Sequence, residues 1–234
     1  MPDPRVTVVL VHGAWHGPWC WQLLTPHLQA QGLGVQLVEL PSVSSAVPAG
    51  LAQDAGHLTG ALSRIEGPVV LCGHSYGGMV ISAADTAAAD VRQLVYLCAY
   101  LTEAGESVES SLLKAGERRP GHWIRRRPDG GTWVDAGRAA TLFYNDCPPL
   151  TRNWAVARLR PHWGQAFSDP AAPAPGRRPG STYVVCSEDR VLAPRIQREL
   201  YATRAERMVT LASGHAPFLS QPQQLARVLV CATL

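Results

Sequence analysis

The sequence predicts an α/β protein with a mostly parallel central sheet, helices on both faces and one inserted segment. Three observations carry that expectation. Apolar, β-branched runs alternate with helical stretches from Val6 to Leu97. The alternation stops near Ala99 and resumes at Thr182. Between the third apolar run and the helix after it stands Gly73-His74-Ser75-Tyr76-Gly77. Strand–helix alternation argues for parallel strands joined by helical crossovers, and such sheets bind ligands at the carboxyl ends of their strands.

Each element has its own signal. Val6–Val11 is almost wholly apolar and reads as a strand buried on both faces. A loop rich in glycine and aromatic residues follows, from His12 to Trp19. Trp21–Ala30 reads as a helix ended at Gly32, and Val35–Leu40 as the second strand. Pro41–Gly50 reads as a loop. Leu51–Ile65 carries apolar residues at 51, 55, 58, 62 and 65, a helical period that Gly67-Pro68 breaks. Val69–Cys72 is the third strand, Met79–Ala89 the next helix and Val91–Leu97 the fourth strand. Thr182–Cys186 and Met208–Leu211 are two further strands. Helices are expected over Pro194–Thr203, with proline near its start, and over Pro222–Leu234.

From Ala99 to about Arg178 strand periodicity is missing. That stretch holds arginine clusters, a turn at Pro128-Asp129-Gly130-Gly131, and helical patterns over Ala136–Tyr144 and Thr151–Leu159. It reads as a mainly helical lid over the sheet edge, with the proline-rich segment Asp169–Gly180 as the return linker. The expected division is a core of residues 1–98 and 179–234 and a lid of residues 99–178.

Composition bounds the function. The chain has 234 residues, 46% hydrophobic and 17% charged, enough for one sizeable core and unlike a disordered chain. A net charge of +3 argues against a nucleic-acid surface. The cysteines at 20, 72, 98, 147, 186 and 231 form no Cys-x-x-Cys pair. No run approaches the ~18 apolar residues of a membrane span. The start, Met-Pro-Asp-Pro-Arg, lacks a signal pattern. The expectation is a cytoplasmic protein with free thiols and no membrane or nucleic-acid partner.

The chemistry centres on Ser75. A Gly-x-Ser-x-Gly sequence between strand and helix is the context of a nucleophile elbow, a sharp turn that exposes the serine hydroxyl. A Cβ at 73 or 77 would clash with neighbouring chain, which explains the two glycines. A serine needs a base, and the base needs an orienting group. His215 follows the last strand in a short loop and so reaches the same sheet edge. Glu188 and Asp189 both lie in the loop after the preceding strand, and spacing alone does not choose between them. The chain order serine, acid, histidine is that of one known triad arrangement. The backbone N–H of Tyr76, next after the nucleophile, is an expected oxyanion donor.

These residues, with His12-Gly13-Ala14-Trp15-His16-Gly17-Pro18-Trp19, carry a resemblance. The chain resembles the α/β-hydrolase fold enzymes, and within them the plant methyl-salicylate and methyl-jasmonate esterases, the hydroxynitrile lyases and their small bacterial relatives. The resemblance implies the α/β-hydrolase fold and a Ser75–Asp189–His215 triad, with Asp189 preferred over Glu188 because of its position before Pro194. It implies Ala14 as the second oxyanion donor. It also implies hydrolysis of a small carboxylic ester through an acyl-serine intermediate. Lyases of that group carry a lysine after the histidine and a threonine in the first loop, where this chain has Ala216 and Gly13. A lyase-type, cyclase or ligand-receptor use of the site is the alternative.

The remaining polar residues have plainer readings. His12, His16 and His74 are expected to fix loops. His27, His57, His122 and His162 are expected at the surface or in the lid. Trp15, Trp123, Trp133 and Trp154 are expected to line an apolar pocket over Ser75. The arginine clusters read as solvated, with contact to an acidic substrate group as the alternative. No metal, nucleotide or flavin pattern is present, and the triad needs no cofactor. The expected partner is a small-molecule ester, and the oligomeric state is open, a homodimer included.

Overall fold

The computed structural model describes residues 5–117, 121–172 and 179–233. The strands are β1 Thr7–Val11, β2 Gly34–Val38, β3 Pro68–His74 and β4 Asp90–Leu97, then the short β5 Arg125–Arg126, β6 Gly131–Trp133 and β7 His162–Trp163, then β8 Gly180–Cys186 and β9 Arg207–Leu211. The main sheet has six strands in the order β2-β1-β3-β4-β8-β9. Every pairing in it is parallel. The six strands expected from the sequence are therefore present, within a few residues at their ends.

Burial explains the order. All seven residues of β3 are buried and it lies at the centre, while β9 has exposed or half-buried residues throughout and lies at an edge. Full burial of a Val or Leu side chain contributes about 1.5–3 kcal/mol, so a strand buried along its whole length gains most from two covered faces. β1, β3, β4, β8 and β9 all end on the same side, and the loops leaving that side carry the residues singled out above.

Local chemistry places the helices. Leu51–Leu62 buries Leu51, Ala55, Leu58 and Leu62, the expected stripe, and Asp54 on the same face. Its N-terminus is held from far along the chain, because the Leu51 N–H donates to Asp169 Oδ2 at 2.9 Å. A carboxylate there also meets the positive end of the helix dipole. The helix after Ser75 starts earlier than expected, at Gly77, and ends at Ala83. Asp85 then accepts the Ala87 N–H and opens a separate turn over Thr86–Ala88. The expected loop after β2 contains a short helix, Pro41–Ser44, with proline in its first turn. The expected helix from Pro194 is an α turn, Pro194–Ile196, that widens to a π turn over Gln197–Tyr201.

The segment between β4 and β8 departs most from expectation. It holds the helices Val108–Lys114, Ala136–Leu142, Pro149–Val156 and Gln165–Ser168, and also a three-stranded antiparallel sheet, β5-β6-β7. The Pro128–Gly131 turn joins β5 to β6: Arg127 N–H donates to the Gly131 carbonyl at 2.7 Å. These strands have two or three residues each, too short for any period to show in the sequence. The prolines at 173 and 175 of the expected return linker lie outside the described residues.

Candidate active site

Ser75 sits on the turn from β3 into the following helix with φ of 53°, a left-handed backbone that non-glycine residues seldom adopt. The close approach expected at the flanking glycines is present. A Cβ on Gly73 would stand 2.4 Å from the Gly77 carbonyl oxygen, and one on Gly77 would stand 2.7 Å from that of Val11. Both contacts are with backbone, which cannot swing aside. The loop after β1 lies against the serine from the other side, since a Cβ on Gly13 would stand 2.9 Å from Ser75 Cβ. That brings Ala14, the next residue, to the same place as Ser75 and Tyr76.

The other two triad candidates meet. His215 Nδ1 lies 2.7 Å from Asp189 Oδ2, and both side chains are buried. A carboxylate only accepts, so Nδ1 carries the hydrogen and Nε2 is left as the basic nitrogen. Asp189 is itself held firmly. Its Oδ1 accepts the N–H groups of Val191 and Leu192, at 2.7 and 3.0 Å. Its Oδ2 also accepts Gln197 Nε2 at 2.9 Å. Glu188, the competing acid, is exposed, and its backbone N–H donates to Ser213 instead. Of the two acids that spacing left open, Asp189 is the one in contact with His215. Ser75 and His215 line one cavity, and the Ser75 hydroxyl makes no hydrogen bond among the described residues. Such contacts are often long before substrate is bound.

The loop histidines are fixing groups. His12 Nε2 accepts the Leu40 N–H and its Nδ1 donates to the Gly13 carbonyl, which pins the loop after β1 to the end of β2. His16 Nδ1 donates to the Ala14 carbonyl, and Tyr144 donates to its Nε2, both at 2.8 Å. His74 Nε2 donates to the His215 carbonyl at 2.9 Å. Burial, the largest cause in each case, pushes His12 down to about 4 and His16 to about 3, and takes His74 well below the usual imidazole range. These rings are neutral at physiological pH. His27, His57 and His122 are exposed, as expected. His162 is buried on β7 against Tyr76 and Phe167, at ring distances of 5.1 and 4.9 Å.

Above Ser75 is a cavity of about 510 Å³ lined by Trp15, Trp123, Phe143, Leu112 and Ile196 among others. Two of the four tryptophans expected there are present. Trp15 stacks with Phe143 at 5.8 Å and meets Trp123 edge-on at 5.5 Å. The other two expectations are corrected. Trp133 is 38% exposed, because its neighbour Thr132 points inward to Trp15 and strand side chains alternate. Trp154 packs on Trp19 at 5.4 Å with the Arg158 guanidinium 4.2 Å over its ring, and does not reach the cavity. The arginines at 125 and 126 are exposed and pair with Asp135 and Glu109.

Two contributors escaped the sequence reading. Gln197 is fully buried and bridges Asp189, the Leu192 carbonyl and the Cys186 N–H. Asp54 is buried, takes the Tyr76 hydroxyl and the Ser42 N–H at 2.8 Å each, and is raised above the usual carboxylate range by burial. A glutamine after a proline and an aspartate inside an amphipathic helix give no signal of such roles.

One cluster resembles a metal site in composition: ligand atoms of His74, Cys98 and His215 lie within 4.8 Å of one another. The hydrogen bonds account for it. His74 Nε2 and Cys98 Sγ both donate to the His215 carbonyl oxygen, so the group is gathered around an acceptor already in place.

The fold agrees with the comparisons to known proteins. Residues 8–228 match the model of the alpha/beta hydrolase family, and the chain belongs to that family. It is 29% identical to an alpha/beta hydrolase of Aspergillus novofumigatus over 96% of this chain and 95% of the other. It is 40% identical to a carbendazim-hydrolyzing esterase of Nocardioides over 46% of this chain and 47% of that one. The crystal structure of a pyrethroid hydrolase from Sphingobium faniae superposes with a TM-score of 0.82 at 26% identity, covering 97% of both chains.

Proposed function

We propose that this chain is a carboxylic ester hydrolase that works through an acyl-serine intermediate, with Ser75 as nucleophile, His215 as base and Asp189 as orienting acid. The observation that carries the reading is the 2.7 Å contact between buried His215 and Asp189 beside a serine held at φ 53° in the same cavity. Ser75 Oγ attacks the ester carbonyl and its proton passes to His215 Nε2. The imidazolium then returns the proton to the departing alcohol. Water, deprotonated by the same nitrogen, attacks the acyl carbon and releases the acid. The N–H groups of Ala14 and Tyr76 receive the oxyanion, where each such donor is worth about 10²–10³ in rate. The esterase and hydrolase names of the relatives support an ester as the substrate class.

The test is Ser75→Ala against p-nitrophenyl acetate, with fluorophosphonate labelling in parallel. A loss of about 10⁴-fold or more in kcat and loss of label are expected. Undiminished turnover in the variant ends the proposal.

A further inference from the structure

The turn between the helices Ala136–Leu142 and Pro149–Val156 belongs to the inserted segment, yet three consecutive residues in it bond to three loops of the main sheet. Tyr144 Oη donates to His16 Nε2 at 2.8 Å, in the loop that carries Ala14. Asn145 Nδ2 donates to the Glu188 carbonyl at 3.1 Å, next to Asp189. Asp146 Oδ2 accepts the Gly214 N–H at 2.7 Å, next to His215. Phe143, just before them, lies 6.0 Å from the His215 ring.

The histidine loop needs such a tether. It leaves β9, an edge strand paired on one side only, whose own residues are exposed or half-buried. Edge strands hold their ends less firmly than central ones, because half their backbone groups have no ladder partner. The contact is also close: a Cβ on Gly214 would stand 2.4 Å from Asn145 Oδ1 and 2.5 Å from Asp146 Oδ1. Those two oxygens are buried without hydrogen-bond partners among the described residues. Keeping buried acceptors unpaired costs free energy. The structure keeps them there because the other atoms of the same side chains grip the two loops.

We infer that residues 144–146 form a positioning clasp, which sets the spacing of the histidine, acid and oxyanion loops without touching the reacting atoms. The inference rests on the acyl-serine reading. It makes the inserted segment a working part of the catalytic geometry as well as the wall of the cavity. Asp146 is the central member, since its carboxylate makes a charge-assisted bond to the backbone beside His215.

The experiment compares Asp146→Ala and Asp146→Asn in the full chain. Steady-state kinetics on p-nitrophenyl acetate, the thermal midpoint and the far-downfield NMR proton of the His215 Nδ1–H···Asp189 bond are followed. Misplacement of about an ångström costs up to about 10²-fold, so Asp146→Ala is expected to lower kcat by about 10- to 100-fold with KM within about twofold, and to broaden the NMR proton. Asp146→Asn keeps an acceptor oxygen for Gly214 and is expected to recover most of that loss. A folded Asp146→Ala with kcat and NMR signal unchanged overturns the clasp, as does an Asn variant as impaired as the Ala one. If Asp146→Ala does not fold, Gly214→Ala tests the same contact by pushing both side chains away. An inactive, unlabelled parent chain would sink the acyl-serine reading instead, and the NMR proton would still decide the clasp.

Discussion

Gln197 Nε2 and His215 Nδ1 donate to the same oxygen, Asp189 Oδ2, at 2.9 and 2.7 Å. The carboxylate is therefore aimed from its far side by a neutral amide, while its second oxygen is filled by two backbone N–H groups. With no acceptor site left for a wandering partner, its direction toward the imidazole is set before substrate arrives.

Gln197→Leu should strip that support without altering shape much. The Cys186 N–H, which donates to Gln197 Oε1, would be left unpaired in the core at a cost of about 1–3 kcal/mol. A fall in kcat of about tenfold with KM little changed is expected from the looser aspartate. Gln197→Glu should be worse, since it sets two carboxylates against each other. Thermal melts and kinetics on both variants check this; equal kcat in parent and Gln197→Leu would refute it.

The two tryptophan pairs predict different phenotypes. Trp123 lines the cavity, so Trp123→Ala should change KM and the ranking of esters by size. Trp154 lies outside the cavity under Arg158, so Trp154→Ala should affect stability alone. A panel of p-nitrophenyl esters of increasing acyl length separates them, and a shifted ranking in Trp154→Ala would count against the assignment.

Acid should weaken the fold early. His12, His16, His74 and His162 are buried neutral, with His162 pushed to about 3 by burial. In the unfolded chain each imidazole titrates at its usual value near about 6.5. Between there and about pH 4 the unfolded state thus binds more protons, and stability falls as pH falls. Near about pH 5 close to four protons should be taken up on unfolding by these four rings, each worth about 1.4 kcal/mol per pH unit. Urea unfolding at pH 7 and at about pH 5 reads the slope directly, and a flat stability would contradict the burial of these rings.

A second acid-labile point lies where the inserted segment begins. Burial would raise the Glu106 carboxyl, but the Glu103 N–H, Lys114 and Arg204 outweigh it and hold it at about 2. A carboxylate depressed in the fold stabilises above its unfolded pKa and loses that contribution as pH drops through the folded one. Glu106 should therefore contribute stability above about pH 4.5 that vanishes toward about pH 2. Glu106→Gln should lower the melting temperature at pH 7 and flatten its dependence below about pH 4.5. A variant that melts with the parent at pH 7 would show the ion pairs to be idle.

Much of this was legible along the chain because it depends on short-range pattern. The six strands of the main sheet are apolar runs whose burial follows from composition. The elbow is five adjacent residues, and the clash that Gly73 answers is with Gly77, four positions on, although Gly77 answers one with the distant Val11. The order of Ser75, Asp189 and His215 follows from which strand each loop leaves. Other features needed long-range contacts. The strands β5, β6 and β7 are too short to show a period. Trp133 and Trp154 point away from the cavity for reasons of local facing that tryptophan content cannot express. Asp189 and Glu188 are chemically alike neighbours, and the turn after β8 buries one and leaves the other exposed. Gln197, and Tyr144 to Asp146, act through partners from five to 128 positions away. The sequence alone therefore settled which loops meet at the sheet edge. Only the packed chain settled which side chains hold them there, since a hydrogen bond depends on distance and angle in space and leaves no periodic trace in the residues that make it.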